Sequence, residues 1–271
     1  MLPKQTGHHG ARIPNKPFRM RAMQTLALYH LKGGVGKTAA AVNLAYLAAR
    51  DGYPTLFWDL DPQGAGSWYL EPAPGETVDA AKLVKGKLAV GRLVRPTRFE
   101  NLSLMPADFS LRYLDILLRK VQGQDALKRL LAPFREMFTL VVLDCPPSLS
   151  HLAANIFTAA DAVAVPIVPS HLSVRAFEIV HQEYKALGHK PRRLHPFFSM
   201  VDRRRRLHNA LLAETPKRLK RRMDSVIPYA SVIEQMGEER APLGAFAPRH
   251  PAAQAYESLW SDLRARMGEF A

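Results

Sequence analysis

The chain has 271 residues, enough for one large α/β domain or two small ones, and 47% of them are hydrophobic, ample for a buried core. A formal net charge of +14 draws polyanions, either nucleic acid or an anionic membrane. The single cysteine, Cys145, excludes an internal disulfide and a CxxC metal site and fits a reducing cytoplasm, and no apolar run approaches the roughly 18 residues that span a bilayer.

Residues 1–22 carry Lys4, Arg12, Lys16, Arg19 and Arg21 with no acid and no apolar core of a secretory signal. They read as a disordered basic tail, or as an upstream start ahead of a fold that begins near Met23. Residues 23–271 then read as one domain, with no internal repeat and no linker. Thr25–Leu31 is a strand that feeds a glycine loop. Thr38–Arg50 follows with a helical period closed by Gly52. Pro54–Leu60 is a second strand ending in acids. Residues 71–100, rich in Pro, Gly and Lys, read as short helices and loops. Asn101–Pro106 is a third strand, Leu111–Phe134 is helical in period, and Phe138–Asp144 (FTLVVLD) is the clearest strand of all.

A helix near Ser150–Ala160, a strand at Ala162–Val168 and a helix at Val174–Leu187 come next. Leu194–Val201 and Ser225–Pro228 read as strands, and Ala252–Met267 as a closing amphipathic helix. Continuous apolar strands alternating with helices predict an α/β fold: one doubly wound domain whose mostly parallel central sheet is flanked by helices on both faces.

The stretch His30–Ala39, HLKGGVGKTA, contains a phosphate-binding loop. Gly33, Gly34, Val35 and Gly36 form a curl whose backbone N–H groups converge on phosphate oxygens, and the helix starting near Lys37 adds its positive end. Lys37 is placed to reach the β- and γ-phosphates, and the Thr38 hydroxyl to ligate Mg²⁺. The usual template has glycine where this chain has Leu31, and here an extra lysine, Lys32, opens the loop. Asp59 and Asp61 end the second strand and Asp144 ends the FTLVVLD strand. Ligands of open α/β sheets bind at such carboxyl ends. Asp144 can hold a water on Mg²⁺ and Asp61 can orient the water that attacks the γ-phosphate, so Thr38, Asp61 and Asp144 are the candidate metal residues. Asp59 reads as a structural acceptor.

KGGVGKT, DLDPQG and VVLDCPPS together closely resemble the motifs of the ParA/MinD group of deviant-Walker ATPases. The segment from Val226 to Leu259 resembles the end of a ParA-type chain, so the likeness runs from about residue 24 to 268, and DxDPQG points to ParA-like partition and positioning proteins. The resemblance implies an ATPase that binds ATP and Mg²⁺ and pairs into a nucleotide-sandwich homodimer. In it Lys32 reaches the phosphates held by the other subunit, so that Lys32, Lys37 and Asp61 form the catalytic set. A second cation is physically reasonable, because Lys37 and Mg²⁺ neutralise only part of a triphosphate, and a cation supplied in trans is worth ~10³–10⁵ in rate where measured. The resemblance also places adenine near Met200 and Pro228. Ala39 stands where the family often has a second threonine against the α-phosphate.

Residues 203–222 hold Arg203, Arg204, Arg205, Arg206, Lys217, Arg218, Lys220, Arg221 and Arg222, opposed within the stretch by Glu214 alone, a net +8. Charge of one sign cannot be stabilised by i,i+4 pairing and is better explained by an anionic partner. No helix-turn-helix or zinc-finger pattern accompanies it, so phosphate contacts without sequence preference are expected. ParA-type proteins resemble this in binding nonspecific DNA as ATP dimers. A partner that stimulates hydrolysis and a nucleoid-associated place in a bacterial cytoplasm are implied in the same way.

Two rival readings remain. One is a MinD-like membrane-associated protein or a regulatory nucleotide switch with little hydrolysis. Against a membrane anchor, Leu259, Trp260 and Leu263 read as a core face of the closing helix. The other is a metabolic or redox member of the same superfamily; an iron–sulfur reductase would need cysteine ligands at the dimer interface, and Cys145 alone gives one per subunit.

Overall fold

The computed structural model describes residues 22–71, 74–121, 123–214, 217–219 and 221–268. The expected tail therefore lies, but for Ala22, outside the described residues. Eight strands form one sheet in the order β3-β4-β2-β5-β1-β6-β7-β8. They are β1 (Gln24–Leu28), β2 (Thr55–Asp59), β3 (Arg95–Pro96), β4 (Leu102–Met105), β5 (Leu140–Asp144), β6 (Ala162–Ile167), β7 (Leu194–Val201) and β8 (Val226–Pro228). All neighbours pair in parallel except the edge pair β3 and β4. The expected fold class holds.

Period-two alternation covers both faces of this sheet. Leu26, Leu28, Val142 and Ala164 point to one side, and Ala27, Val141, Leu143 and Val165 to the other. The first side packs on α1 (Lys37–Arg50) and, last in the chain, on α12 (Pro251–Met267) through Leu44, Tyr256, Leu259, Trp260 and Leu263. The expected core face of the closing helix is therefore buried. Five alanines of α1 (Ala40, Ala41, Ala45, Ala48 and Ala49) are buried; they favour helix and let its axis lie close to the sheet.

The other side is covered by α3 (Ala80–Val84), α4 (Leu114–Lys120), α5 (Ala126–Leu131), α6 (His151–Ala159) and α7 (His171–Ala186). There Tyr29, Phe157 and Tyr184 stack edge to face at 4.8 and 5.1 Å. The remaining helices are α2 (Ala65–Leu70), α8 (Arg206–Ala213), α9 (Ser231–Glu234), α10 (Met236–Glu239) and α11 (Leu243–Phe246).

Three local expectations are corrected. The helical period over Leu111–Phe134 is not one helix: α4 ends at Lys120 and α5 starts at Ala126. Gly123 between them has φ +100°, a conformation that a continuing helix forbids. The first strand stops at Leu28, so His30 and Leu31 belong to the loop. The loop-rich span 71–100 also supplies the short edge strand β3.

Candidate functional site

β1, β2 and β5 end side by side, and their loops meet at the carboxyl edge of the sheet. In register, Leu28 faces Asp144 across β1–β5, and Asp59 faces Asp144 across β2–β5. The glycine loop leaves β1 and turns into α1 at Gly36, whose φ of +86° suits a residue without a side chain. A Cβ at Gly36 would stand 3.0 Å from the Ser199 hydroxyl, so the loop presses against β7. No side chain caps the first turn of α1 and no acid lies in it, leaving its N–H groups open to an anion.

Within the loop, Val35 is buried and Lys37 is 7% exposed. The Lys37 ammonium donates to the Lys32 carbonyl at 3.4 Å. Burial draws its pKa down, while Asp144 and Asp61 pull the other way. Lys32 itself is exposed, and its ammonium makes no ion pair among the described residues. Its backbone N–H donates to His30 Nδ1 at 2.9 Å, and the other ring nitrogen of His30 faces the Ser173 carbonyl at 3.4 Å. Sequence reasoning missed His30, because a lone histidine before a glycine loop carries no pattern; the structure shows it clamping the loop to α7.

The three aspartates differ in environment. Asp144 is buried, and both of its carboxylate oxygens lack a hydrogen-bond partner of ordinary geometry. Burial, then the neighbouring Asp59, push its pKa well up, partly offset by the Thr38 hydroxyl and Lys37. Asp59 accepts hydrogen bonds from the Ser67 N–H (2.7 Å), the Ser67 hydroxyl (2.8 Å) and the Asp61 N–H (3.2 Å). Burial lifts it to about 6. It is a structural acceptor that holds the start of α2. Asp61 is only part-buried and folds over its own turn, accepting the Gln63 N–H at 3.0 Å.

The residues present fit a divalent cation bound beside phosphates. A buried carboxylate with two orphaned oxygens beside the Thr38 hydroxyl offers the oxygen ligands that suit a magnesium ion keeping most of its waters. Among the described residues no group of three or more His, Cys, Asp and Glu side chains could hold a metal ion by itself.

Next to the loop lies a cavity of about 190 Å³, lined by Gly34, Gly36 and Ala39 on one side and by Ser199, Met200, Pro228, Tyr229 and Glu234 on the other. The structure thus brings Met200 and Pro228 to the loop, where the sequence reading put a base. Met200 takes φ +54°, unusual for a side chain of its size and worth about 1–2 kcal/mol of strain.

The basic stretch is divided. Arg203, Arg204, Arg205 and Arg206 follow β7 at the carboxyl edge and are exposed. Asp202, just outside the stretch, opposes them together with Glu214: Arg204 grips it with Nε and Nη2 at 2.9 and 3.0 Å, and Arg205 stands 3.7 Å away. Those hydrogen bonds hold the Asp202 carboxyl down at about 2. α8 then returns to the opposite edge, where the Met223 N–H donates to the Pro196 carbonyl at 2.7 Å. Arg221 and Arg222 therefore lie at the amino ends of the strands, and Arg222 is half-buried over the Phe198 ring. One run in sequence is two patches in space. Lys217 is exposed; Lys220 and the side chain of Arg218 lie outside the described residues.

The AAA domain family matches residues 23–193. The chain is 29% identical to the chromosome-partitioning ATPase Soj of Treponema pallidum over 252 residues, 91% of this chain and 99% of Soj. Among solved structures, McdA of Cyanothece, in a complex with ATP, superposes with a TM-score of 0.74 at 22% identity over 89% of this chain and 96% of McdA. Cobyrinic acid a,c-diamide synthase of Mycobacterium smegmatis, with an ATP analogue and magnesium, gives 0.73 at 26% identity over 89% and 94%.

Proposed function

This chain belongs to the AAA domain family as a ParA/MinD-type P-loop ATPase, and from that premise we propose that it is a partition or positioning ATPase switched by a shared nucleotide. In this reading it binds ATP with Mg²⁺, pairs face to face, holds DNA without sequence preference and hydrolyses ATP slowly when an adaptor protein stimulates it. The observation that carries it is the junction of the bare α1 N-terminus, the buried Lys37 and the orphaned carboxylate of Asp144 beside a base-sized cleft. The likeness to Soj along almost the whole of both chains supports partition as the task. The magnesium and ATP analogue of the synthase support the ligands.

The loop N–H groups and Lys37 hold the β- and γ-phosphates, and Met200 and Pro228 flank the base. Thr38 and Asp144, the latter through a water, are the residues that would hold Mg²⁺, with Asp61 beside them; the ion supplies charge neutralisation at the phosphates. Asp61 orients a water toward the γ-phosphorus. The new P–O bond forms as the bond to the β-phosphate oxygen breaks, and ADP leaves. Lys32 of the partner subunit supplies the second cation, for which a Lys32 ammonium that is exposed and makes no ion pair among the described residues is suited. ATP thereby joins two subunits, and its loss parts them.

Arg203, Arg205 and Arg206 are the DNA contacts of the carboxyl edge, doubled by pairing. With ~4–6 phosphates neutralised, log K falls with log salt at a slope of about −4 to −5. No helix of the described residues is long and apolar enough to cross a membrane. A nucleoid-associated protein follows from the DNA contacts. Ala39 beside the base cleft favours a second version in which turnover is nearly absent and nucleotide acts as a regulatory switch.

The test is DNA retention by wild type and Lys32→Ala, with and without ATP. The substitution should abolish ATP-dependent retention while nucleotide binding by the single subunit stays measurable. Retention that survives in Lys32→Ala contradicts the switch. Single-turnover hydrolysis with DNA present separates the slow ATPase from the non-hydrolysing version.

A further inference from the structure

We propose that the amino ends of the central strands carry a second anion site, built by Arg192, Arg221 and Arg266 around His195, and that it takes a small free oligophosphate of the pyrophosphate class. It is independent of the phosphate loop and of the function proposed above. β7 separates the two: His195 stands near its start and Ser199, against the loop, stands four residues on, about 13 Å away.

Three arginines from three elements converge there. Arg192 comes from the turn before β7, Arg221 from the segment before β8 and Arg266 from the last turn of α12. All three line a recess of about 390 Å³ with His195. A second recess of about 440 Å³ shares Arg192, His195 and Arg266 and adds Arg193. Among the described residues no carboxylate stands within ion-pair distance of any of these arginines. Asp161, the acid of the second recess, is turned to the Thr25 N–H at 2.9 Å. Arg266 is held in place, donating to the carbonyls of Arg221 (2.6 Å) and Arg222 (3.0 Å).

His195 is the independent sign of a ligand. His195 is 5% exposed and lines both recesses, and its Nδ1 is buried without a hydrogen-bond partner among the described residues. An unpartnered buried polar atom is unfavourable, and exposed guanidinium groups gathered without a counter-charge repel one another. One multivalent anion answers both, giving Arg192 and Arg221 charged acceptors, Arg266 a counter-charge, and the imidazole an anionic neighbour. Burial, then the charges of Arg266 and Arg221, hold the pKa of the ring down at about 4, so it is neutral at pH 7. The recess is small and concave. A duplex presents its phosphates on a convex backbone that does not reach a ring so deeply set, which favours a free anion over DNA.

The experiment titrates inorganic pyrophosphate by calorimetry into full-length protein saturated with ADP, so that the loop is occupied. Wild type should bind, and the exposed double charge reversal Arg192→Glu/Arg221→Glu should bind at least tenfold more weakly. His195→Gln should weaken binding severalfold, and pyrophosphate should raise the pH midpoint of the His195 ring signals in wild type. No heat in the ADP-saturated wild type at millimolar pyrophosphate overturns the site, as does equal affinity in the double variant. If that variant loses duplex binding while wild type ignores pyrophosphate, the arginines serve DNA and the proposal fails. Neither result depends on how Lys32→Ala behaves.

Discussion

Replacing His30 with leucine should loosen the phosphate loop while leaving the core filled. His30 is fully buried, and its Nδ1 accepts the Lys32 N–H at 2.9 Å, so the ring proton sits on Nε2, facing the Ser173 carbonyl. Leucine occupies a similar volume but offers no acceptor. A backbone donor left unpaired in a part-buried site costs about 1–3 kcal/mol. In a chain of this size each kcal/mol moves Tm by roughly 2–4 °C, so a fall of about 2–12 °C is expected at pH 7.5 by circular dichroism. ADP should protect the variant less than wild type, and His30→Asn, which restores an acceptor, should recover part of both.

The pH dependence gives a second handle on the same residue. Burial, with the charges of Lys37 and Lys32 adding to it, holds His30 at about 4, below its ordinary 6.5. The unfolded chain therefore binds a proton between pH 6.5 and 4 that the folded chain refuses. This contribution, roughly 3 kcal/mol, is complete above pH 6.5 and is lost as pH falls toward 4. Leucine has no such loss, so the gap between the two Tm values should close on acidification. An unchanged Tm at pH 7.5, or a gap that stays constant down to pH 4.5, would refute the clamp.

Asp144→Asn removes a buried carboxylate that burial and Asp59 already disfavour, so the nucleotide-free protein should melt no lower than wild type while hydrolysis falls on the order of a hundredfold or more; a lower Tm with retained turnover contradicts this. Replacing Arg203 and Arg206 with alanine should flatten the salt dependence of DNA binding by about one in slope for each, whereas Arg204→Ala, already neutralised by Asp202, should change it less. Gly66→Ala places a Cβ 2.6 Å from the buried Phe57 ring, and the urea midpoint should record a loss of about 1–3 kcal/mol.

The doubly wound sheet was legible because its strands are continuous apolar runs and its phosphate loop has a strand before it and a helix after it. That Met200 and Pro228 share a cavity with the loop was legible only through family likeness, since they meet it across a sheet that local pattern does not order. The leucine period of 111–134 continued through a break because both pieces bury leucines on the same face: Leu114 and Leu118, then Leu127 and Leu131. The charge run looked like one surface because a linear count cannot show that α8 carries the chain from one edge of the sheet to the other. His30 and Asp202 act through single hydrogen bonds or ion pairs, which leave no periodic trace.

The two outermost strands have a consequence for assembly. β3 is two residues long and ends in Pro96; β8 is three residues long and ends in Pro228. Neither margin offers a run of free amides on which another chain could lay a strand. Lateral growth by main-chain pairing is closed on both flanks, so copies of this protein brought side by side find no sheet margin through which to join.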